Sequence, residues 1–120
     1  MSKIKKEYSC ALILTNELIG GKWKLRILWH IIHGDNRFSL LIKAIPDITQ
    51  KVLASQLKEL ENSGLIKRNV IDDNPPKIIL YEIADDQTEL ISIIEKLCAF
   101  TKNMQKINLF LLWIKRGFLK

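Results

Sequence analysis

At Gly64 the sequence changes period, and few small folds accept such a change within so short a span. Upstream, in ITQKVLASQLKELEN (48–62), Leu53, Leu57 and Leu60 recur at helical spacing. Downstream, LIKRNVI (65–71) and IILYEIA (78–84) are rich in β-branched and aromatic residues, and Asp72-Asp73-Asn74-Pro75-Pro76 separates them. That is a helix followed directly by a hairpin with a polar, proline-stiffened tip. Thr49 supplies the side-chain oxygen that opens the helix, and Gly64 supplies the left-handed residue that ends it after about Ser63.

The segments upstream complete the order. A first helix is expected from about Ala11 to Ile19, stopped by Gly20-Gly21. KWKLRILWHIIH (22–33) places Trp23, Ile27, Leu28 and Ile31 on one face and stops at Gly34-Asp35-Asn36. Arg37-Phe38 reads as a short extended piece. Ser39 is the expected cap of a brief helix that runs through Ala44 and is stopped by Pro46. From Asp85 onward the pattern is helical again, with Leu90, Ile94, Leu97, Phe100, Met104 and Ile107 at three- and four-residue steps. Two short helices joined by a tight turn, then a hairpin, with further helices around them, predict a mostly helical α+β fold. The expected architecture is a winged helix-turn-helix with a two- to three-stranded β wing and further helices at both ends, which a family resemblance and the apolar tail make terminal dimerisation helices. We expect residues 1–120 to form a single domain, with the recognition helix at about 49–63 and the wing at about 65–84. The C-terminal dimerisation helix is expected at about 86–118.

Charge then points to a partner class. The chain carries a formal charge of +6 and a pI near 9.4, which suits a polyanion. Residues 1–70 hold 12 Lys/Arg against 6 Asp/Glu, and residues 71–120 hold 7 against 7, so the excess lies in the half that contains the helix-turn-helix. With Leu53 at zero on a helical wheel, Leu57 falls near about 40° and Leu60 near about −20°. Lys51, Ser55, Lys58 and Asn62 gather near the opposite pole, with Ala54 at its edge. Such a face can be merely solvated. Its low bulk, hydrogen-bonding groups and lysines also suit a major groove, where small residues admit the backbone and lysines meet phosphates. Thr49 and Gln50 sit at the first turn, where free backbone N–H groups favour a phosphate. Arg37, Lys67, Arg68, Asn74 and Lys77 occupy positions where a winged helix meets the sugar-phosphate backbone. We therefore expect double-stranded DNA as partner. The alternative is a winged-helix module that binds protein and touches no DNA.

GGKWKLRIL, RFSLLIKAIPDITQKVLASQLKELENSGLIKR and the downstream Pro75-Pro76 and Tyr81, together with the lone Cys10 ahead of the first motif, resemble the HxlR-type winged-helix transcriptional regulators over roughly residues 10 to 90. The resemblance implies a homodimeric DNA-binding regulator, usually a repressor, whose recognition helix opens at Thr49 and whose terminal helices form the dimer interface. The chain departs from the family at the wing. One additional residue stands between Pro-Pro and Tyr81, Leu80 replaces the usual Glu, and Ala84 and Gln87 replace the usual Thr and Gly.

Leu109, Phe110, Leu111, Leu112 and Trp113 are consecutive and cannot share one helical face, so a monomer of this size is hard pressed to bury them all. Leu12, Ile13, Leu109, Phe110, Leu112 and Trp113 are the expected dimer contacts. A twofold dimer sets two reading helices about 34 Å apart, or a multiple, and so predicts a pseudo-palindromic operator. A membrane-surface role would need a more basic polar face. The apolar run near the start is too short for a signal peptide, and residues 107–114 fall far short of a bilayer span. A cytoplasmic protein is expected.

Two cysteines, Cys10 and Cys98, are too few for a stapled secreted fold. Lys5 and Lys6 would favour a reactive Cys10 thiolate, and by the family resemblance Cys10 is a candidate redox sensor, alone or with a small-molecule or oxidant effector. The alternative is that it packs as a small thiol beside the first helix, while Cys98 is expected in the core. His30 and His33 lack a third ligand for zinc. No cofactor is expected. Asp72-Asp73 and Asp85-Asp86 sit where capping accounts for them, and no convergent acid, base and nucleophile suggests an enzyme.

Overall fold

The structure, a computed structural model, describes residues 10–106. Its elements are α1 (Ala11–Ile19), α2 (Lys24–Ile32), α3 (Phe38–Ala44), α4 (Gln50–Asn62), β1 (Ile66–Asp72), β2 (Ile78–Ile83), a short 3-10 turn (Asp85–Gln87) and α5 (Glu89–Met104). Two compact units meet in sequence between Thr88 and Glu89. The first contains the helix-turn-helix and the wing, and the second contains α5.

In the first unit the apolar stripes close on one another. Ile27, Leu28 and Ile31 from α2, Leu41 from α3, Leu53, Leu57 and Leu60 from α4, and Leu65 and Ile66 at the root of the wing are all buried. Ile45 and Ile48 pin the turn between α3 and α4 into this core, which leaves Pro46 and Asp47 outside. Burying a Leu or Ile side chain contributes about 1.5–3 kcal/mol relative to exposure, so this turn is anchored rather than free to swing.

Both ends of α4 form as the sequence predicts. Val52 N–H donates to the Thr49 hydroxyl at 3.2 Å, and Gly64 adopts φ +83 in the left-handed stop. α3 differs from expectation. Arg37, in extended conformation, is its N-cap, and Ser39 makes no cap; Leu41 N–H already donates to the Arg37 carbonyl at 2.9 Å. The first turn therefore closes before Ser39, and Phe38 is helical rather than extended. Trp23 also departs from expectation. It is half-buried, and Lys24 takes the buried position in step with Ile27, Leu28 and Ile31.

β1 and β2 pair antiparallel, with Lys67 opposite Glu82 and Arg68 opposite Tyr81. The register slips between Val70 and Asp72, which leaves Ile71 unpaired as a bulge. Among the described residues the wing has two strands, and a single backbone bond, Tyr81 N–H to the Asn36 carbonyl at 2.8 Å, ties β2 to the segment before α3.

In α5, Leu90 and Ile94 are buried, while Ile93, Leu97, Phe100 and Met104 form an exposed stripe at three- and four-residue steps. Cys98, expected in the core, is only half-buried, because Leu97 and Phe100 beside it face outward at 42% and 65% exposure. Leu109, Phe110, Leu112, Trp113, Lys5 and Lys6 lie outside the described residues.

Candidate nucleic-acid interface

With Leu53, Leu57 and Leu60 turned inward, α4 presents Gln50, Lys51, Ala54, Ser55, Lys58 and Asn62 to solvent. Thr49 is exposed too, but its hydroxyl already accepts the Val52 N–H, so its side chain serves the helix start. Two ion pairs fix α4 and the turn before it against α2. Lys24, buried, donates through Nζ to Glu59 Oε1 at 2.9 Å, and Arg26 clamps both carboxylate oxygens of Asp47 at 2.9 and 3.2 Å. The guanidinium hydrogen bond holds the Asp47 carboxyl below the ordinary aspartate range, and the same bond raises Arg26. The Lys22 and Arg26 cations also stand over the Trp23 ring, at 4.6 and 5.3 Å from its centroid.

The expected cations divide into two groups. Lys67 is engaged, donating to Asp85 at 3.0 Å with Glu82 at 3.8 Å, and its pKa is raised, chiefly by the Asp85 hydrogen bond. Lys77 lies 3.4 Å from Asp73 at the wing tip, where Asn74 N–H donates to Asp72 in an Asx turn. Arg37, Lys51, Lys58 and Arg68 are exposed, and among the described residues none of them forms an ion pair. Lys51 and Lys58 lie on the outer face of α4. Lys67 and Arg68, adjacent on β1, point to opposite faces of the hairpin, and only Arg68 turns toward α4.

Arg68, Lys58, Ala54, Leu57, Glu61, Phe38 and Tyr81 line an open groove of about 370 Å³ between α4 and the wing. The Tyr81–Asn36 backbone bond sets Phe38 beside this groove, and the cross-strand register sets Tyr81 beside Arg68. Phe38, Glu61, Tyr81 and the Lys24–Glu59 pair are additions to the residues expected from sequence. For Lys24 a signal was present, since it keeps step with Ile27, Leu28 and Ile31. For the groove there was none, because it depends on hairpin register.

At the other end of α2, His30 Nδ1 lies 2.9 Å from Asp35, and the His33 ring stacks on Trp29 at 4.1 Å. Among the described residues no three metal-ligating side chains converge. Cys10 is exposed with a free thiol, and Leu12 and Ile13 are exposed on α1.

A helix-turn-helix fixed on a buried leucine seam, with a hairpin beside it, defines a winged helix-turn-helix protein. The HxlR-like helix-turn-helix family model matches residues 18–108, and the chain belongs to that family of transcriptional regulators. It is 46% identical over 99 residues to the HTH-type transcriptional regulator YtcD of Bacillus subtilis, covering 82% of this chain and 78% of that protein. An HTH-type regulator of Methanothermobacter thermautotrophicus is 40% identical over 96 residues, covering 80% of this chain and 72% of that protein. A crystal structure of YtcD superposes with a TM-score of 0.72 at 42% identity, over 81% of this chain and 98% of that one. The redox regulator HypR in its reduced form superposes with a TM-score of 0.74 at 32% identity, over 82% and 96%. Among the described residues no helix is long and apolar enough to cross a membrane.

Proposed function

We propose that the protein is a cytoplasmic homodimeric repressor that reads a pseudo-palindromic operator with α4, and that oxidation of Cys10 releases it. The observation that carries the DNA-reading surface is the outer face of α4. Lys51 and Lys58 are exposed there and, among the described residues, form no ion pair, Ala54 and Ser55 add little bulk, and the leucines behind are sealed in the core. Small residues let the helix approach base edges, and unpaired lysines exchange condensed counterions for phosphate contacts. Gln50 and Ser55 are the base-reading groups of this surface. Lys51, Lys58, Arg37 and Arg68 supply the backbone contacts. A second copy is proposed to cover Leu12 and Ile13 on α1 and the exposed stripe of α5, with Leu109, Phe110, Leu112 and Trp113, which lie outside the described residues, as the further contacts expected from sequence. Each copy thereby sheds exposed apolar area.

The test is fluorescence anisotropy with the DNA upstream of the protein's own gene, across a salt series. Specific binding that weakens steeply as salt rises supports the reading. Absence of binding even at low salt identifies a protein-interaction module instead. For Cys10, the support is an exposed free thiol, together with the similarity to HypR, a redox regulator. A Cys10→Ser variant should keep its DNA affinity in the presence of a thiol oxidant, whereas the unaltered chain loses it. Release of both alike would remove Cys10 from the mechanism.

A further inference from the structure

The groove between α4 and the wing has a definite relation to a duplex. A helix seated in the major groove and a hairpin over the neighbouring surface must straddle the strand that divides them. That strand passes through whatever space separates helix from hairpin. Here the space is walled by one uncommitted cation on each side, Lys58 from α4 and Arg68 from β1, with Leu57, Phe38 and Tyr81 forming an apolar and aromatic lining. Glu61 lines the same space, yet among the described residues neither cation is paired, unlike Lys67 and Lys77 on the same hairpin.

We propose that this groove seats one phosphodiester of the DNA backbone. Lys58 and Arg68 share its charge, Tyr81 and Phe38 pack against the adjoining deoxyribose, and Glu61 opposes it. The proposal rests on the DNA-binding reading above and assigns roles to Phe38, Glu61 and Tyr81 within it. Arg68 is suited to the task because its planar fork can meet two phosphate oxygens while Lys58 acts as a point charge. Glu61 lines the same groove, and a carboxylate near a phosphodiester weakens binding by like-charge repulsion. It makes occupancy of the groove depend on both cations together. The distal wing, with Asp72 and Asp73 exposed and Lys77 held by Asp73, is left outside this contact.

The experiment uses the full chain and an operator duplex defined by footprinting, with a neutral methylphosphonate placed at one backbone position at a time. On the unmodified duplex, Lys58→Ala and Arg68→Ala each weaken binding about tenfold and lower the salt slope by roughly one. Glu61→Gln strengthens binding, most at low salt. Thermal melting of the three variants, all at surface positions, reports whether folding is intact. One methylphosphonate position per half-site should abolish the effect of both alanine variants. Effects that vanish at two different phosphates, or a Glu61→Gln variant with unchanged affinity, overturn the shared-phosphate groove while leaving DNA binding in place. A wild-type chain that binds no duplex overturns the DNA-binding reading, and the groove assignment with it.

Discussion

Lys24 shows how one residue can hold α4 in place. It is buried on the same helix as Ile27, Leu28 and Ile31, and its ammonium reaches Glu59 on α4 at 2.9 Å. The two partners are unequal: the Lys24 side chain is 10% exposed and that of Glu59 is 31% exposed. Removing Glu59 strands a buried ammonium, whereas removing Lys24 leaves a carboxylate that water can still reach. We therefore expect Glu59→Ala to destabilise the fold by about 3 kcal/mol and Lys24→Met, which fills the same space, by about 1 kcal/mol, measured by urea unfolding. Asp47 supplies a pH-dependent counterpart. Its folded pKa is lowered by Arg26, so the pair contributes stability above the unfolded aspartate pKa, and that contribution is lost as pH falls through the folded value. In thermal melts the gap between the unaltered chain and Asp47→Asn should be open at neutral pH and close in acid, as pH falls through the lowered folded value. A gap that persists in acid would mean that Asp47 acts through packing and not through charge.

At the scale of elements, α4 was legible in the sequence because its determinants are local. Thr49, the Leu53-Leu57-Leu60 stripe and Gly64 define start, face and stop within 16 residues, and the structure uses each in the expected role. Thr49→Ala should cost about 1 kcal/mol through loss of the Val52 N–H bond. Leu57→Ala should cost about 2–5 kcal/mol through the cavity it leaves in the core. Equal losses in the two would contradict the division between cap and seam. The helix α3 was less legible, because Ser39 is a good capping residue in a place where the turn closes two residues earlier, on Arg37. The wing was legible as a hairpin, yet its register was not. The bulge at Ile71 follows from how β1 and β2 pair, and it is this register that sets Arg68 opposite Tyr81 and opens the groove. For the same reason Lys67 and Arg68 read alike as neighbours in sequence, although one is bonded to Asp85 and the other faces α4. Cys98 was misplaced because its apolar neighbours Leu97 and Phe100 belong to an exposed stripe and not to a core.

For the whole molecule, the two units carry different surfaces. The first presents unpaired cations around a fixed helix, and the second presents an apolar stripe of Ile93, Leu97, Phe100 and Met104. The proposed dimer makes that stripe an interface, so Phe100→Glu should shift sedimentation from dimer to monomer without lowering the melting cooperativity of the helix-turn-helix unit. The operator affinity of such a monomer should fall with it, since a twofold site needs both reading helices. The central claim is that the outer face of α4 reads DNA. Its most direct test is a footprint on the DNA upstream of the protein's own gene, repeated with Lys51→Ala and Ser55→Ala. The account predicts a protected site of twofold symmetry that fades with Lys51→Ala and changes its sequence preference with Ser55→Ala. An identical footprint from both variants would place the reading surface elsewhere on the molecule.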